Sequence, residues 1–191
     1  MNSTNVLQTY VLWKGVDGEL FRYIFDSGVL SDEGNSEGLR ALKDPARPLS
    51  CQWLTDKAGY VCMPFKDSAR ILPDRTGVLV IFKPGSYTHP DGNDIFPCPN
   101  NAAIYNADGS LRCQVRFASG PERNADCVIG RTFTRTITHQ TLPIGRRGDP
   151  IDPPIVQFGV LVGTREHPPE SFYVLNTETG ELTNGLFSVP C

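Results

Sequence analysis

Three segments of the chain share a hydrophobic and polar pattern that is typical of a β-hairpin. Each segment begins with an apolar run that includes an aromatic residue, and a polar turn with Gly as its last residue follows. After the Gly come one polar residue and a second run, which begins with Leu. The segments are residues 10–21, 103–112 and 173–182. The Gly of each Asp-Gly or Thr-Gly pair can adopt the positive φ of a tight turn without steric cost. Because the hairpins are spread along the chain, the pattern predicts antiparallel β structure throughout.

Other apolar or alternating runs predict further strands, for an expected total of roughly eight to ten. With the hairpin strands included, they lie near residues 6–14, 19–25, 59–63, 77–83, 102–106, 110–117, 126–140, 156–163, 171–176 and 181–189. Residues 26–50 are predicted to be a loop region in which residues 36–43 form two helical turns, with Ser36 as the N-cap. Residues 66–72 are predicted to be either a helical turn or irregular. We therefore expect one mainly-β antiparallel domain over residues 1–191, built as a sandwich, a bent sheet or a small barrel, with one or two short helices.

The strand expected at residues 131–141 has an unusual alternation. Thr132, Thr134, Thr136, Thr138 and Gln140 share one face, and Arg131, Phe133, Arg135, Ile137 and His139 share the other. A threonine face is typical of a hydrated β surface. We interpret the opposite face as the rim of a sheet, where arginine heads reach water. The alternative is a stripe that offers cationic groups to a ligand or partner.

Composition narrows the classes of partner. The chain has 18 basic and 21 acidic residues, for a formal net charge of −3, so we expect no nucleic-acid partner, which normally requires a basic surplus. The N-terminus lacks the basic and apolar regions of a signal peptide, and the longest apolar run, residues 78–82, is far shorter than a membrane span. We therefore expect a cytoplasmic protein with no membrane association. The alternative is a secreted protein whose signal peptide has been removed and replaced by an added Met, because its N-terminus would look the same.

The six cysteines allow two interpretations. In a secreted chain an even number would indicate three disulfides. In a reducing compartment they would be thiols, and Cys62 and Cys113 occupy strand positions where a small apolar residue is expected. We favour reduced, partly buried thiols. The chain contains no Cys-x-x-Cys pair, so the sequence predicts no structural zinc site.

Catalytic motifs are sparse. The chain has three histidines, His89, His139 and His167. Oxygens near His89 could bind a divalent cation, but Pro-Asp-Gly-Asn is also a turn sequence, which we favour. No nucleophile elbow, phosphate-binding loop or His-Glu-x-x-His motif occurs. We therefore predict a protein that is not an enzyme and has no cofactor. A small hydrolase with a metal site, or with Cys113 or Cys127 paired in space with His139, stays open.

Two long, proline-rich connections are the expected contact surfaces. Residues 84–100 and 142–154 are loops of a length that often carries binding. In the second, two adjacent arginines can bind a carboxylate or a phosphate through paired hydrogen bonds. The partner-binding residues that we predict are Tyr87, His89, Asp91, Asp94, Arg146, Arg147 and Asp149.

Residues 101–112, 157–162 and 172–182 resemble segments of small bacterial β-rich proteins that serve as immunity partners of secreted toxins. The shared features are hairpin patterns without a catalytic motif, so the resemblance carries over no site residue. It implies a cytoplasmic protein that binds and neutralises another protein. A basic toxin would suit the mild negative charge of the chain. A structural or phage-assembly component is a further alternative.

Overall fold

The computed structural model describes residues 4–27, 46–117, 127–137, 155–164 and 170–189. Within these residues the chain forms thirteen β-strands and no helix. The strands are β1 (Val6–Lys14), β2 (Leu20–Asp26), β3 (Arg47–Thr55), β4 (Gly59–Cys62), β5 (Ala69–Ile71), β6 (Gly77–Ile81), β7 (Ala102–Asn106), β8 (Leu111–Gln114), β9 (Arg116–Phe117), β10 (Cys127–Ile137), β11 (Ile155–Thr164), β12 (Glu170–Leu175) and β13 (Glu181–Val189).

The strands form three sheets. The first sheet has the order β2-β1-β3-β4, the middle sheet β5-β6-β7-β8, and the third sheet β10-β11-β12-β13-β9. Neighbouring strands are antiparallel except for the short parallel pair of β13 and β9. Among the described residues each sheet ends in two edge strands, so none closes into a barrel. The prediction of a mainly-β, mostly antiparallel fold is confirmed, and the small barrel is ruled out.

Each of the three predicted hairpins is present, and each belongs to a different sheet. They join β1 to β2, β7 to β8 and β12 to β13. Their turn glycines Gly18, Gly109 and Gly180 have φ angles of 85°, 91° and 76°. A residue with a Cβ rarely adopts this conformation, so the turn chemistry of the sequence explains why the chain reverses at these positions.

The middle sheet is buried on both faces. Along β6, Val78 and Val80 belong to a core that also contains Trp53 of the first sheet. Leu79, between them, belongs to a second core, with Val160 of the third sheet. Alternate residues of a strand point to opposite faces, so an unbroken apolar run is what a strand between two cores requires. The two outer sheets therefore pack on opposite faces of the middle one.

Three segments differ from their predicted structure. The single strand expected at residues 110–117 is divided into β8, in the middle sheet, and β9, in the third sheet. Residues 47–55 were expected to be loop up to residue 50, but they form β3, the strand between β1 and β4. Pro48 lies opposite Trp13, beside a register shift that accommodates a residue without an N–H. Residues 66–72 contain β5, which pairs with β6, and not a helical turn. The predicted helical turns at residues 36–43 lie outside the described residues.

Candidate functional site

One aromatic side chain of the connection at residues 84–100, that of Tyr87, packs on the core of the protein. The ring of Tyr87 lies 5.4 Å from the ring of Phe82, 5.4 Å from that of Phe65 and 6.4 Å from that of Phe96, measured between centroids. Tyr87 is half-buried and packs against the core between the first and middle sheets. Its ring therefore holds the connection in place, so only part of this predicted contact residue faces solvent.

The tip of the connection is a hydrogen-bonded turn, as the Pro-Asp-Gly-Asn sequence predicted. The His89 N–H donates to the Asn93 carbonyl (2.8 Å), and the Gly92 N–H donates to the His89 carbonyl (3.0 Å). The Asp91 carboxylate accepts from the Asn93 backbone N–H (3.0 Å) and from its side-chain amide (3.1 Å). These hydrogen bonds, with a smaller contribution from His89, lower the pKa of Asp91. His89 and Asp91 are both exposed.

Asp94 closes the base of the same connection. Its Oδ1 accepts a hydrogen bond from the Gly85 N–H at 2.8 Å, and a β-bridge pairs it with Thr88. Asp94 is half-buried, so at least one of its oxygens serves the loop itself. The other predicted contact residues, Arg146, Arg147 and Asp149, lie outside the described residues, and so does His139.

The interpretation of residues 131–141 as a sheet rim, with a cationic stripe as the alternative, stays a prediction, and the structure describes these residues only as far as Ile137. Thr134 and Thr136 are exposed, and Ile137 on the opposite face is buried. A register shift between Ile129 and Arg131 interrupts the alternation at the start of the stripe. Arg131 is exposed there, at the rim of a cavity.

The edge strands β2, β5 and β10, one from each sheet, lie close together on one side of the molecule. We call this side the edge flank, and it contains three neighbouring cavities. The first, about 330 Å³, lies between β5 and β10, and Arg70, Lys83 and Arg131 contribute cationic groups to its lining. No Asp or Glu of the described residues lines it. The charged side chains that the structure describes in its lining are therefore all basic.

The second cavity, about 460 Å³, lies on the other side of Arg70. The Arg70 guanidinium is 3.9 Å from the Asp26 carboxylate and 4.4 Å from the centre of the Phe25 ring. The Asp26 carboxylate also accepts from the Ile71 N–H at 3.0 Å. Since these contacts cross from β2 to β5, Asp26 and Arg70 join the first and middle sheets at this edge.

The third cavity, about 450 Å³, lies between the first sheet and the β5–β6 edge of the middle sheet. Three half-buried aromatic side chains, Trp13, Tyr23 and Phe25, line it. Asp67, which is 8% exposed, lines it as well. Its Oδ1 accepts from the Lys83 backbone N–H at 3.2 Å. Its Oδ2 and the Trp13 Nε1 are both buried and have no hydrogen-bond partner in the described structure.

The cysteines and possible metal ligands in the described part of the chain form neither a disulfide nor a metal site. The five cysteines that the structure describes are free. Burial, with a contribution from the nearby Asp67 carboxylate, raises the pKa of the Cys51 thiol to about 12. Among the described residues, no three His, Cys, Asp or Glu side chains cluster closely enough to hold a metal ion. No helix that could span a membrane occurs in the same residues.

The sequence patterns did not predict the cavities of the edge flank. A partial signal was present, because Trp13, Tyr23 and Phe25 continue the period-2 pattern of two strands that the sequence predicted correctly. Asp67 gave no signal, since it precedes a strand of only three residues. Nothing in the sequence pattern indicates that β1 and β2 meet the segment that contains Asp67.

Comparison with known proteins identifies no relative: no protein-family model, curated protein sequence or solved structure matches the chain.

Proposed function

We propose that this protein is a binding protein, not an enzyme, and that it acts by holding another protein. The observation that carries the proposal is the tip of the 84–100 connection, residues 88–93, which are all exposed yet held by hydrogen bonds within the loop. Tyr87 anchors this tip on the core. A loop that is ordered before binding loses less conformational entropy when a partner docks.

The charge of the tip supports a basic partner. Asp91 is exposed, the hydrogen bonds from Asn93 that lower its pKa favour the ionised carboxylate, and the whole chain has a formal net charge of −3. Complementary charge accelerates association and disfavours acidic competitors. Arg146, Arg147 and Asp149 complete the proposed contact surface on the strength of their sequence alone.

The most specific form of the proposal is an immunity protein that neutralises a bacterial toxin in the cytoplasm. The resemblance of residues 101–112, 157–162 and 172–182 to such proteins supports it. A toxin that acts on phosphate-bearing substrates would present a basic surface, to which Asp91 could bind in place of a phosphate.

Affinity capture with the full chain, followed by mass spectrometry, tests whether a protein partner exists. The affinity of the purified partner for variants of the chain then tests whether the tip belongs to the contact surface. We expect Asp91→Asn to weaken binding about tenfold, because it removes a charge from the contact and keeps an oxygen for the turn. Asp108→Asn is the matched control. Asp108 is exposed and accepts from the Ser110 N–H as Asp91 does from Asn93, but in the β7–β8 turn.

The immunity function predicts that co-expression of the chain restores growth to cells that produce the captured partner. Equal loss of binding in Asp91→Asn and Asp108→Asn would show that the tip is not part of the contact surface. If no protein is retained at micromolar concentration while a small molecule raises the melting temperature, the protein-binding proposal fails.

A further inference from the structure

The third cavity presents more positive than negative charge to a ligand. Lys66 and Lys83 line it, both are exposed, and neither ammonium group forms an ion pair with a carboxylate of the described residues. Asp67 is the one acidic residue that the structure describes in the lining. Its Oδ2 is buried and its Oδ1 accepts from the Lys83 backbone N–H, so this carboxylate offers little surface to a ligand. The two ammonium groups are therefore the charged groups that a ligand can reach.

The walls of the cavity are largely apolar. Val11 pairs directly with Tyr23 across β1 and β2, so these two side chains share a face with Trp13 and Phe25, two residues further along each strand. Ile81 of the middle sheet lines the cavity as well. A volume of about 450 Å³ falls in the size range of small-molecule sites, which combine apolar walls with a few polar groups. The walls therefore suit a ligand with an apolar body.

The first cavity extends the positive region. It shares Phe25, Ser68, Ile81 and Lys83 with the third cavity, so the two cavities adjoin. The charged side chains that the structure describes in its lining are all basic. Because the whole chain has a formal net charge of −3, the positive lining is a local feature of the edge flank and does not follow from the composition.

Together the walls and the charges select one class of ligand. A cation would meet two like charges, and an apolar molecule without a charge would make no use of the lysines. A small, strongly hydrated anion would gain nothing from the aromatic walls, since its solvation is better in water. A molecule that carries an acidic group on an apolar body uses both parts of the lining.

We propose that the third cavity binds an amphipathic carboxylate, with its apolar body packed on the aromatic walls and its acidic group beside Lys66 and Lys83. This function goes beyond the protein-binding proposal and does not depend on it. The site is also separate from the tip of the 84–100 connection, although Lys83 and Ser86, at the start of that connection, line the cavity.

The test compares three ligands that share one apolar body and differ in charge: phenylbutyrate, phenylbutanol and phenylbutylamine. Each is titrated at up to millimolar concentration into the isotope-labelled full chain, and nuclear magnetic resonance follows the amides of Lys66 and Lys83 and the ring of Trp13. Phenylbutyrate is expected to shift these signals and to bind about fivefold tighter than phenylbutanol, with phenylbutylamine weaker still. Acetate, which lacks the body, is expected to shift none of them. The Trp53 indole is an internal control, because it is buried and donates to the Ala107 carbonyl at 2.8 Å.

Charge variants test the role of the two lysines. The double variant Lys66→Gln, Lys83→Gln keeps long polar side chains and removes both charges, so the acid is expected to bind within about twofold of the alcohol. Lys57→Gln is the matched control, because Lys57 is an exposed lysine in the β3–β4 turn and lines none of the three cavities. High salt is expected to weaken binding of the acid and not of the alcohol, since exposed charges are screened.

A variant of the wall tests the apolar contact. Tyr23→Leu shortens the wall and leaves the charges, so it is expected to weaken binding of the acid and the alcohol by the same factor. Melting temperatures near that of the wild type show that the variants are folded. The proposal is overturned if no ligand shifts the cavity signals, or if the alcohol or the amine binds as tightly as the acid. It is also overturned if Lys57→Gln reduces the advantage of the acid as much as the double variant does. None of these results decides the protein-binding proposal, which affinity capture tests separately.

Discussion

The side chain of Asn101 pairs with the backbone of Ile129 as a neighbouring strand would. Its Oδ1 accepts from the Ile129 N–H at 2.9 Å, and its Nδ2 donates to the Ile129 carbonyl at 3.1 Å. The same Nδ2 donates to the Phe82 carbonyl at 2.9 Å. Asn101 precedes β7 and is 2% exposed, whereas Ile129 lies in β10, so one buried amide connects the middle sheet to the third sheet.

Removal of this amide is expected to destabilise the protein strongly. Asn101→Ala deletes three hydrogen bonds and leaves the Ile129 N–H buried without a partner, for an expected loss of about 3 kcal/mol in the free energy of unfolding. Urea denaturation measures it. The control is Asn93→Ala, an exposed asparagine that bonds the Asp91 carboxylate, with an expected loss of about 0.5 kcal/mol. A loss below about 1 kcal/mol in Asn101→Ala would show that the sheets stay joined without the amide.

A methyl group at Gly180 is expected to cost more than one at Gly59. Both residues have a positive φ, 76° and 72°. A Cβ at Gly180 would lie 2.5 Å from the Gln114 carbonyl oxygen, whereas one at Gly59 would meet nothing within 4 Å. We expect Gly59→Ala to lose about 1 kcal/mol for its backbone conformation and Gly180→Ala about 3 kcal/mol, because steric overlap is added. Equal losses in chemical denaturation would show that the β12–β13 turn yields to the added methyl.

The thiols of Cys51 and Cys62 are expected to differ in reactivity. Cys51 is fully buried with a pKa raised to about 12, whereas Cys62 is exposed. Only the thiolate reacts, so Cys51 is expected to resist iodoacetamide in the native protein between pH 7 and 9, and Cys62 to be labelled. Peptide mass spectrometry after a short pulse measures both. Labelling of Cys51 in denaturant without reductant is the control, and its failure there would indicate a disulfide.

Acid is expected to loosen two tight turns at a pH below the ordinary aspartate range. The pKa of Asp91 is lowered by hydrogen bonds from Asn93, and that of Asp108 by hydrogen bonds from Ser110. A lowered pKa in the folded state means that the contribution to stability is present above the unfolded pKa, near 3.9, and is lost as the pH falls through the folded value. Carboxyl carbon resonances are expected to titrate below that reference, together with the Asn93 and Ser110 amides.

The Asp108→Asn variant provides the control for this titration. It should abolish the pH dependence of the Ser110 amide and leave that of Asn93 unchanged, because the two turns are separate. A carboxyl group that titrates at or above the ordinary aspartate value would contradict the prediction.

The candidate site was predictable only in its local parts. The Pro-Asp-Gly-Asn sequence predicted the turn at the tip of the 84–100 connection, because turn geometry depends on a few adjacent residues. The sequence also named Tyr87 as a contact residue, which stays a prediction, but it did not predict that the Tyr87 ring packs on Phe65 and Phe82. The third cavity was not predictable, since Trp13, Phe25 and Asp67 come from separate segments that meet only in the folded chain.

The sequence by itself determined the β class and the three hairpins, because a Gly with positive φ between two apolar runs specifies a chain reversal locally. Tertiary structure decided which strands became neighbours. β3 contains Pro48 and has a weak pattern of its own, yet it becomes an interior strand because β1 and β4 supply partners on both sides. β5 has only three residues, and its strand conformation is stabilised by pairing with β6. The edge flank, with its three cavities, follows from the packing of two sheets on opposite faces of the middle one. Its edge strands meet through contacts between residues far apart in the chain, which short-range patterns do not encode.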